Sequence, residues 1–468
     1  MSQEATLVLK KCKLMEAESK YQQSDEATPQ NFKTYKLRFW ILGIFSFLAF
    51  FQCLQWNLWG PLSASVDAAF DGFGSDTVAM IANWGTITYL IFSYHLVRIM
   101  DKNGIRVAVL IIAVFVTVGT VLRAGALLIN SDILFKVMCH IGAIVNGAVG
   151  PIVMISPPVI AALWFPPNER TTATGCGQLF NLLGNAGSYL QPLIVRSPKH
   201  ASSEEIRSDI ARLLYIYVGV SLVVLVSVAV YFPAKPPTPP SVSSTKERID
   251  VMGSAARLVR NSDYRLTVIS MVFCISVPAA WYTVLNFSLG EIGIDQDEAM
   301  GIGFLSVSCS TFFGILVTRI TDMLYGHLKV SLIFLMAFDI AFFYWFFLLT
   351  WGCIEVTQWQ VYVSIIFGMS LNGATIPLFT ELAVEFAYPC SELVVAGFFT
   401  FGMNVIGTVF LFLFLIPNIG YDWITYTLLA TSSVSIVLIV FVEENYRRTS
   451  EDKQARVKGQ ATSDVTSS

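Results

Sequence analysis

The chain has 468 residues, of which 54% are hydrophobic and only 13% charged, with a mean hydropathy of +0.62. That is far more apolar than a soluble domain of this length needs for its core. A net charge of -3 and a pI near 5.9 average over an uneven distribution and by themselves indicate no nucleic-acid or acidic partner.

Residues 1–36 read as a disordered cytosolic tail. They are polar as far as residue 34, so no cleavable signal peptide precedes the first apolar run, and that run would itself start insertion. About twelve runs of roughly 20 residues follow, each long enough to cross a bilayer. Spans are expected at 38–60, 77–98, 107–128, 134–156, 172–194 and 213–232, then at 266–288, 300–319, 330–350, 360–380, 393–416 and 424–442. The chain is therefore expected to be an all-α integral membrane protein: a six-helix bundle over 37–232, a Pro-rich basic cytosolic linker over 233–264, a second six-helix bundle over 265–444, and a disordered cytosolic tail over 445–468.

Lys and Arg gather on alternate connections: Arg98, Lys102 and Arg106 after span two, Arg170 after span four, the linker from Lys235 to Arg265, and Arg319 with Lys329 after span eight. The opposite loops carry Asp67, Asp71, Asp76, Glu291, Asp295, Asp297, Glu298, Glu355 and Asp422, with Arg196, Lys199, Arg207 and Arg212 as the cationic exception. The positive-inside rule then puts both termini in the cytosol. Cysteines lie mostly within spans, so no disulfide framework is indicated, and the sequon at Asn286 falls in or beside span seven, where glycosylation is disfavoured.

The linker begins Phe232-Pro-Ala-Lys-Pro-Pro-Thr-Pro-Pro, which cannot continue a helix, and it divides a readable duplication. Asn146-Gly147-Ala148-x-x-Pro151 in span four is matched by Asn372-Gly373-Ala374-x-x-Pro377 in span ten. Aromatic-Pro-x-x-Glu connections follow both, at 165–169 and 388–392. Asp101-Lys102-x-Gly104-x-Arg106 after span two is echoed by Asp322, Gly326 and Lys329 after span eight. Three matches in one order point to parallel six-helix repeats, the architecture of major facilitator transporters. The Asp101, Gly104 and Arg106 string also resembles that superfamily's loop between the second and third helices, although Val97 stands where its leading glycine is expected; an ordinary tight turn is the other reading.

Polar groups in hydrocarbon are costly unless they meet a cavity or a partner, so they trace the pathway. Gln52, Gln55, Trp56 and Trp59 recur along one face of span one beside Asn57, giving an aromatic shelf with amide donors that suits a flat polar heterocycle or a cation. An interfacial aromatic belt would have the same pattern. Gln178, Asn181 and Asn185 in span five, with Trp281, Tyr282 and Asn286 in span seven, fit either a substrate site or helix–helix glue. Asn404 adds one amide in span eleven. For proton coupling the candidates are Glu381 and Glu385 on one face of span ten, which could instead form a gating pair, the deep Asp339, and His140 near the outer end of span four. Arg123 is expected to snorkel outward. With no Walker loop, no metal-ligand spacing and no nucleophile beside a base, an enzyme is not indicated; neither a cofactor nor a metal is implied, and the energy would come from gradients.

Several strings together resemble solute carrier family 49 over almost the whole membrane region: Trp56-Asn-x-Trp-Gly-Pro61, Trp164-Phe165 with Glu169-Arg170-Thr-x-Ala-Thr174, the Pro-rich linker, and Glu381-x-x-x-Glu385-x-x-Tyr-Pro-x-x-Glu392. The linker and span-one strings point to one branch of that family. The resemblance implies a lysosomal, proton-driven transporter that moves pyridoxine, a vitamin B6 form, toward the cytosol, with Gln55, Trp56, Asn57 and Trp281 suited to the ring and hydroxyls. The partners so implied are a small-molecule substrate, protons and the bilayer, with no obligate protein partner. Choline, ethanolamine or haem transport by relatives in the same family is the alternative. Choline-type members carry glutamines that align with Leu182 and Asn404, and both have changed here. The branch's acidic dileucine targeting signal is only approximated at residues 4–9, where Val8 breaks it, so plasma-membrane residence is a second expectation. A non-transporting metabolite sensor is the remaining class.

Overall fold

A computed structural model describes residues 33–129, 131–166, 169–238, 258–323, 327–387 and 392–443. The targeting string, most of the linker and nearly all of both tails lie outside the described residues. The first half contains α1 (Leu37–Trp56), α2 (Ser63–Ala69), α3 (Ser75–Asn103), α4 (Ile105–Ala126), α5 (Asp132–Ala148), α6 (Gly150–Trp164), α7 (Arg170–Ser188) and α8 (Ser203–Val230). The second contains α9 (Ser262–Tyr282), α10 (Leu285–Glu291), α11 (Gln296–Met323), α12 (Leu328–Thr350), α13 (Gln358–Ala387), α14 (Glu392–Phe412) and α15 (Asp422–Val440).

Among the described residues, nine helical segments are long and apolar enough to cross a membrane, with α5 and α6 counted as one span from Asp132 to Trp164. Helices α3, α7 and α11 have spanning lengths of 29, 19 and 28 residues but are more polar. They can be, because α3 packs on α14 and α7 on α11, so these helices line the seam between the halves rather than meeting lipid on all sides. The twelve expected spans are consistent with nine apolar segments plus these three.

Two boundaries differ from expectation for local reasons. Span six starts nearly three turns of helix before Leu213, at Ser203, because Ser202 and Glu205 form a capping box. Arg207 and Arg212 therefore stand on α8 and not in a loop. Span four breaks at Val149, two residues before Pro151, whereas Pro377 sits inside the continuous α13.

The duplicated Asn-Gly motif has the same job in each half. Asn146 donates from Nδ2 to the Gln52 carbonyl at 3.2 Å, and Asn372 donates from Nδ2 to the Cys274 carbonyl at 2.9 Å. Each amide staples the fourth helix of its half to the first. The glycine after it lets a neighbour approach: a Cβ on Gly147 would lie 2.6 Å from the Gly85 Cα, and one on Gly373 would overlap the Ser310 hydroxyl. Gly104, with φ +84°, makes the turn between α3 and α4 that only glycine adopts freely.

The halves meet at the end of the bundle opposite the one that carries residues 33 and 443, here termed the far face. Lys199 Nζ lies 2.6 Å from Asp295 Oδ2, the Ser197 hydroxyl donates to Asp297 Oδ2 at 2.8 Å, and His200 Nε2 lies 3.6 Å from that same oxygen. Beneath this clasp, Gln296 Nε2 donates to Ser65 Oγ at 2.7 Å, Asn286 Nδ2 donates to the Pro61 carbonyl at 3.0 Å, and the Tyr189 hydroxyl donates to the Tyr282 carbonyl at 2.7 Å. The far face is closed. The hydrogen bond from Lys199 holds the Asp295 carboxyl below the usual carboxylate range, and Asp295 in turn raises Lys199. The pair thus loses its attraction only when pH falls through the depressed carboxyl value or rises through the elevated lysine value, and it persists in mild acid.

Two outcomes are expected. Gly147→Leu should destabilise the protein in detergent by about 3 kcal/mol, whereas Gly125→Leu, where an added Cβ meets nothing, should leave the thermal midpoint near that of the parent. In a Cys353→Ser background, a cysteine replacing buried Ser65 should react slowly with an impermeant maleimide added at the far face, and its rate relative to a freely exposed cysteine, a ratio that cancels the fall in thiolate with pH, should be flat from neutral to mildly acidic pH. Lys199→Glu should raise that rate roughly three- to ten-fold, and adding Asp295→Lys should restore it; an unchanged rate in Lys199→Glu would mean that the pair does not hold the face shut.

Candidate functional site

Trp56 ends α1, where it is half-buried. Its indole fits a slot that exists because two positions lack side chains: a Cβ on Gly85 would overlap the ring, and one on Gly150 would lie 3.0 Å from it. Tyr89 flanks the same slot beside Gly150. One part of the ring is thereby fixed against α3 and the start of α6, and the remainder stays open. Trp59 is 3% exposed among Phe73 and Phe135, with ring centroids 5.9 and 5.8 Å away, so it belongs to the core and not to an interfacial belt.

The neighbouring amides mostly hold helices. Asn57 and the Cys53 thiol both donate to Asn185 Oδ1, and Asn181 Nδ2 donates to the Ala49 carbonyl at 3.0 Å, so α7 is bound to the end of α1 by the glue reading. Gln178, one turn away on α7, is exposed. Gln55 is 1% exposed; its Oε1 accepts from the Thr120 hydroxyl at 2.7 Å and from Arg123 Nη1 at 3.1 Å. Arg123 therefore does not snorkel outward: it is 1% exposed, its long side chain accommodated beside Gly142, where a Cβ would lie 2.6 Å from Nε. An apolar helix face gave no hint of this, because the partner amide lies on another helix.

Trp281 is fully buried in the second half, donating from Nε1 to Ser288 Oγ at 3.0 Å and packing on Phe346 at 5.4 Å, apart from the Trp56 slot. Asn404 is 6% exposed and turns its amide back to the Thr400 carbonyl of its own helix at 2.8 Å. On the seam beside it, the Thr408 hydroxyl donates to Thr86 Oγ1 at 2.7 Å and Asn83 Nδ2 donates to the Thr408 carbonyl at 3.2 Å, contacts that single-helix patterns do not show.

Asp339 is fully buried in the second half, on α12. Its Oδ2 accepts from Asn372 Nδ2 at 2.9 Å, while Oδ1 is buried with no hydrogen-bond partner. Among the described residues no cation pairs with it, an arrangement suited to a carboxyl that takes up and releases a proton. Glu385 is buried at 2% and Glu381 is exposed, so the two do not share one buried environment. His140 accepts at Nδ1 from Trp84 Nε1 at 2.9 Å. Of the turn motif, Gly104 holds its left-handed turn and Arg106 is exposed, while the side chains of Asp101 and Asp322 lie outside the described residues. The cations on the far face have acids to meet: Arg196 lies 2.7 Å from Asp209, Arg207 lies 2.7 Å from Asp132, and Arg212 lies 3.3 Å from Asp209.

Comparison with known proteins places this arrangement. The profile of the Major Facilitator Superfamily matches residues 45–410. A Solute carrier family 49 member 4 homolog of Xenopus laevis is 32% identical over 433 residues, covering 90% of this chain and 94% of that protein. The Choline/ethanolamine transporter FLVCR2 of Homo sapiens is 24% identical over 433 residues, covering 90% and 80%. Among solved structures, the xylose transporter XylE from E. coli in a partially occluded inward open conformation has the same fold at 14% identity, with a TM-score of 0.64 over 87% of this chain and 100% of that one. The chain belongs to solute carrier family 49 of the major facilitator superfamily, and is a multi-pass membrane transporter, not an enzyme.

Proposed function

We propose that the protein carries pyridoxine or a closely related vitamin B6 form across the lysosomal membrane toward the cytosol, coupled to protons, by alternating access. Both tails face the cytosol in this reading, and the closed far face is the lumenal one. The observation that carries it is the half-open Trp56 indole held in a slot made by Gly85 and Gly150, with Tyr89 beside it. A rigid aromatic face offers a flat, neutral heterocycle an offset stack worth about 1 kcal/mol beyond the area buried. Gln178 supplies a polar group on α7. Asp339, with one carboxyl oxygen unpartnered in a buried setting, supports the coupling, and exposed Glu381 is the second candidate.

Choline or ethanolamine is the second reading. It is favoured by the substrate in the name of the human relative, and by the capacity of an indole face to hold a cation.

The test is uptake of labelled pyridoxine by cells bearing the protein at their surface, so that the far face meets the medium, at about pH 5.5 and about pH 7.5, with excess choline in parallel. Acid-stimulated uptake that choline does not inhibit is expected. Transport of choline without pyridoxine flux, in protein shown at the surface, would favour the second reading. Trp56→Ala should raise the half-saturating concentration roughly ten-fold and Trp56→Phe distinctly less. Asp339→Asn should bring the ratio of acid to neutral uptake close to one with expression intact, and Glu381→Gln should reduce acid-driven uptake; a variant with the full acid response is thereby removed from the coupling mechanism.

A further inference from the structure

On the lipid-facing side of the first half, near the end that carries the tails, α1 and α8 diverge around an apolar groove of about 370 Å³, within the roughly 300–1,000 Å³ typical of ligand pockets. Trp40, Gly43 and Phe47 line it from α1, and Val223 and Ser227 from α8. Its polar groups are already used: Trp40 Nε1 donates to the Tyr231 carbonyl at 3.1 Å, and the Ser227 hydroxyl donates to the Val223 carbonyl at 2.7 Å. Nothing inside the groove is left to bind a hydroxyl or an amide.

The mouth of the groove is different. Lys36 lies one helical turn before Trp40 on the same face. The Tyr35 hydroxyl lies 3.0 Å from Thr238 Oγ1, which draws the segment preceding α1 against the segment following α8 and so brings Lys33 and Lys36 toward Lys235. All three lysines are exposed. Among the described residues none of them is within ion-pair distance of a carboxylate; the nearby acid Glu169 is taken by Arg38 at 3.0 Å.

We propose that this is a binding site for an anionic glycerophospholipid of the leaflet on the side of the tails, with its phosphate and acidic headgroup on Lys33, Lys36 and Lys235 and one acyl chain in the groove between α1 and α8. A dry slot open to hydrocarbon takes a chain, and three exposed lysines on the segments at its mouth, Lys33 with its ammonium over the Tyr35 ring at 5.6 Å, select negative charge. A sterol would find no partner for its hydroxyl in the groove and would gain nothing from the lysines. The site is separate from the Trp56 slot, so its test does not depend on the transported substrate.

The purified full chain in mild detergent would be offered equal amounts of phosphatidylserine, phosphatidylcholine and cholesterol, and retained lipid read by native mass spectrometry. The parent protein should retain phosphatidylserine. Replacing Lys33, Lys36 and Lys235 together by glutamine should weaken retention on the order of a hundred-fold, and these exposed changes do not touch the core. Gly43→Phe should also abolish retention by filling the groove, since an added Cβ there meets nothing and the thermal midpoint should hold. Val437→Phe, on the exposed face of α15, should change nothing. Equal retention of phosphatidylcholine or cholesterol by the parent, or parental retention of phosphatidylserine in either the lysine variant or Gly43→Phe, would overturn the proposal.

Discussion

Within a bilayer a side-chain amide has no water to turn to, and in this protein that constraint is met by fastening helices together. Asn146 on Gln52 and Asn372 on Cys274 are the paired instances, one in each half, both tying the fourth helix to the first. Asn181 and Asn185 extend the same scheme to α7. Each bond is worth only about 1 kcal/mol in a membrane, but its geometry needs close backbones, and the glycines beside it supply them. The slot for Trp56 comes from that same close packing, because Gly85 faces both Gly147 and the indole. The candidate site is thus a by-product of how the first half is held together.

Much of this was legible in the sequence. Apolar runs located the long helices, and the repeated Asn-Gly-Ala-x-x-Pro string located equivalent staples because duplicated helices keep duplicated contacts. Boundaries failed where a cap overrode hydropathy, as at Ser202. Individual roles failed where the deciding partner was on a distant helix. Periodicity placed Gln55 on a shared face with Trp56, but could not show that Arg123 and Thr120 would occupy its oxygen. It grouped Glu381 with Glu385, yet the bundle buries only one of them. Trp281 and Trp56 both looked suited to a ligand, and only packing assigned Trp281 to the core of the second half.

Arg123 in the first half and Asp339 in the second are ionisable side chains held deep in the interior. Among the described residues neither meets a group of opposite charge. A guanidinium cannot shed its proton, so Arg123 keeps a cost of about 3 kcal/mol that its hydrogen bond to Gln55 only partly offsets. A carboxyl can escape the same cost by taking up a proton. The two halves, alike in backbone, therefore differ in what they can do with charge: the first carries a fixed cation and the second a group able to be neutral.

The far-face cations bear on how the chain reaches its final orientation during synthesis. Arg207 meets Asp132, and Arg196 meets Asp209, within a stretch that emerges together or earlier. Lys199 has to wait for Asp295, which is translated after the whole linker and α9. If the tails face the cytosol, as proposed above, its loop must cross the membrane while that charge is still uncompensated, against the local bias that keeps lysine on the side of the ribosome. Orientation must then already be settled by Arg98, Lys102 and Arg106, whose connection is made three spans earlier.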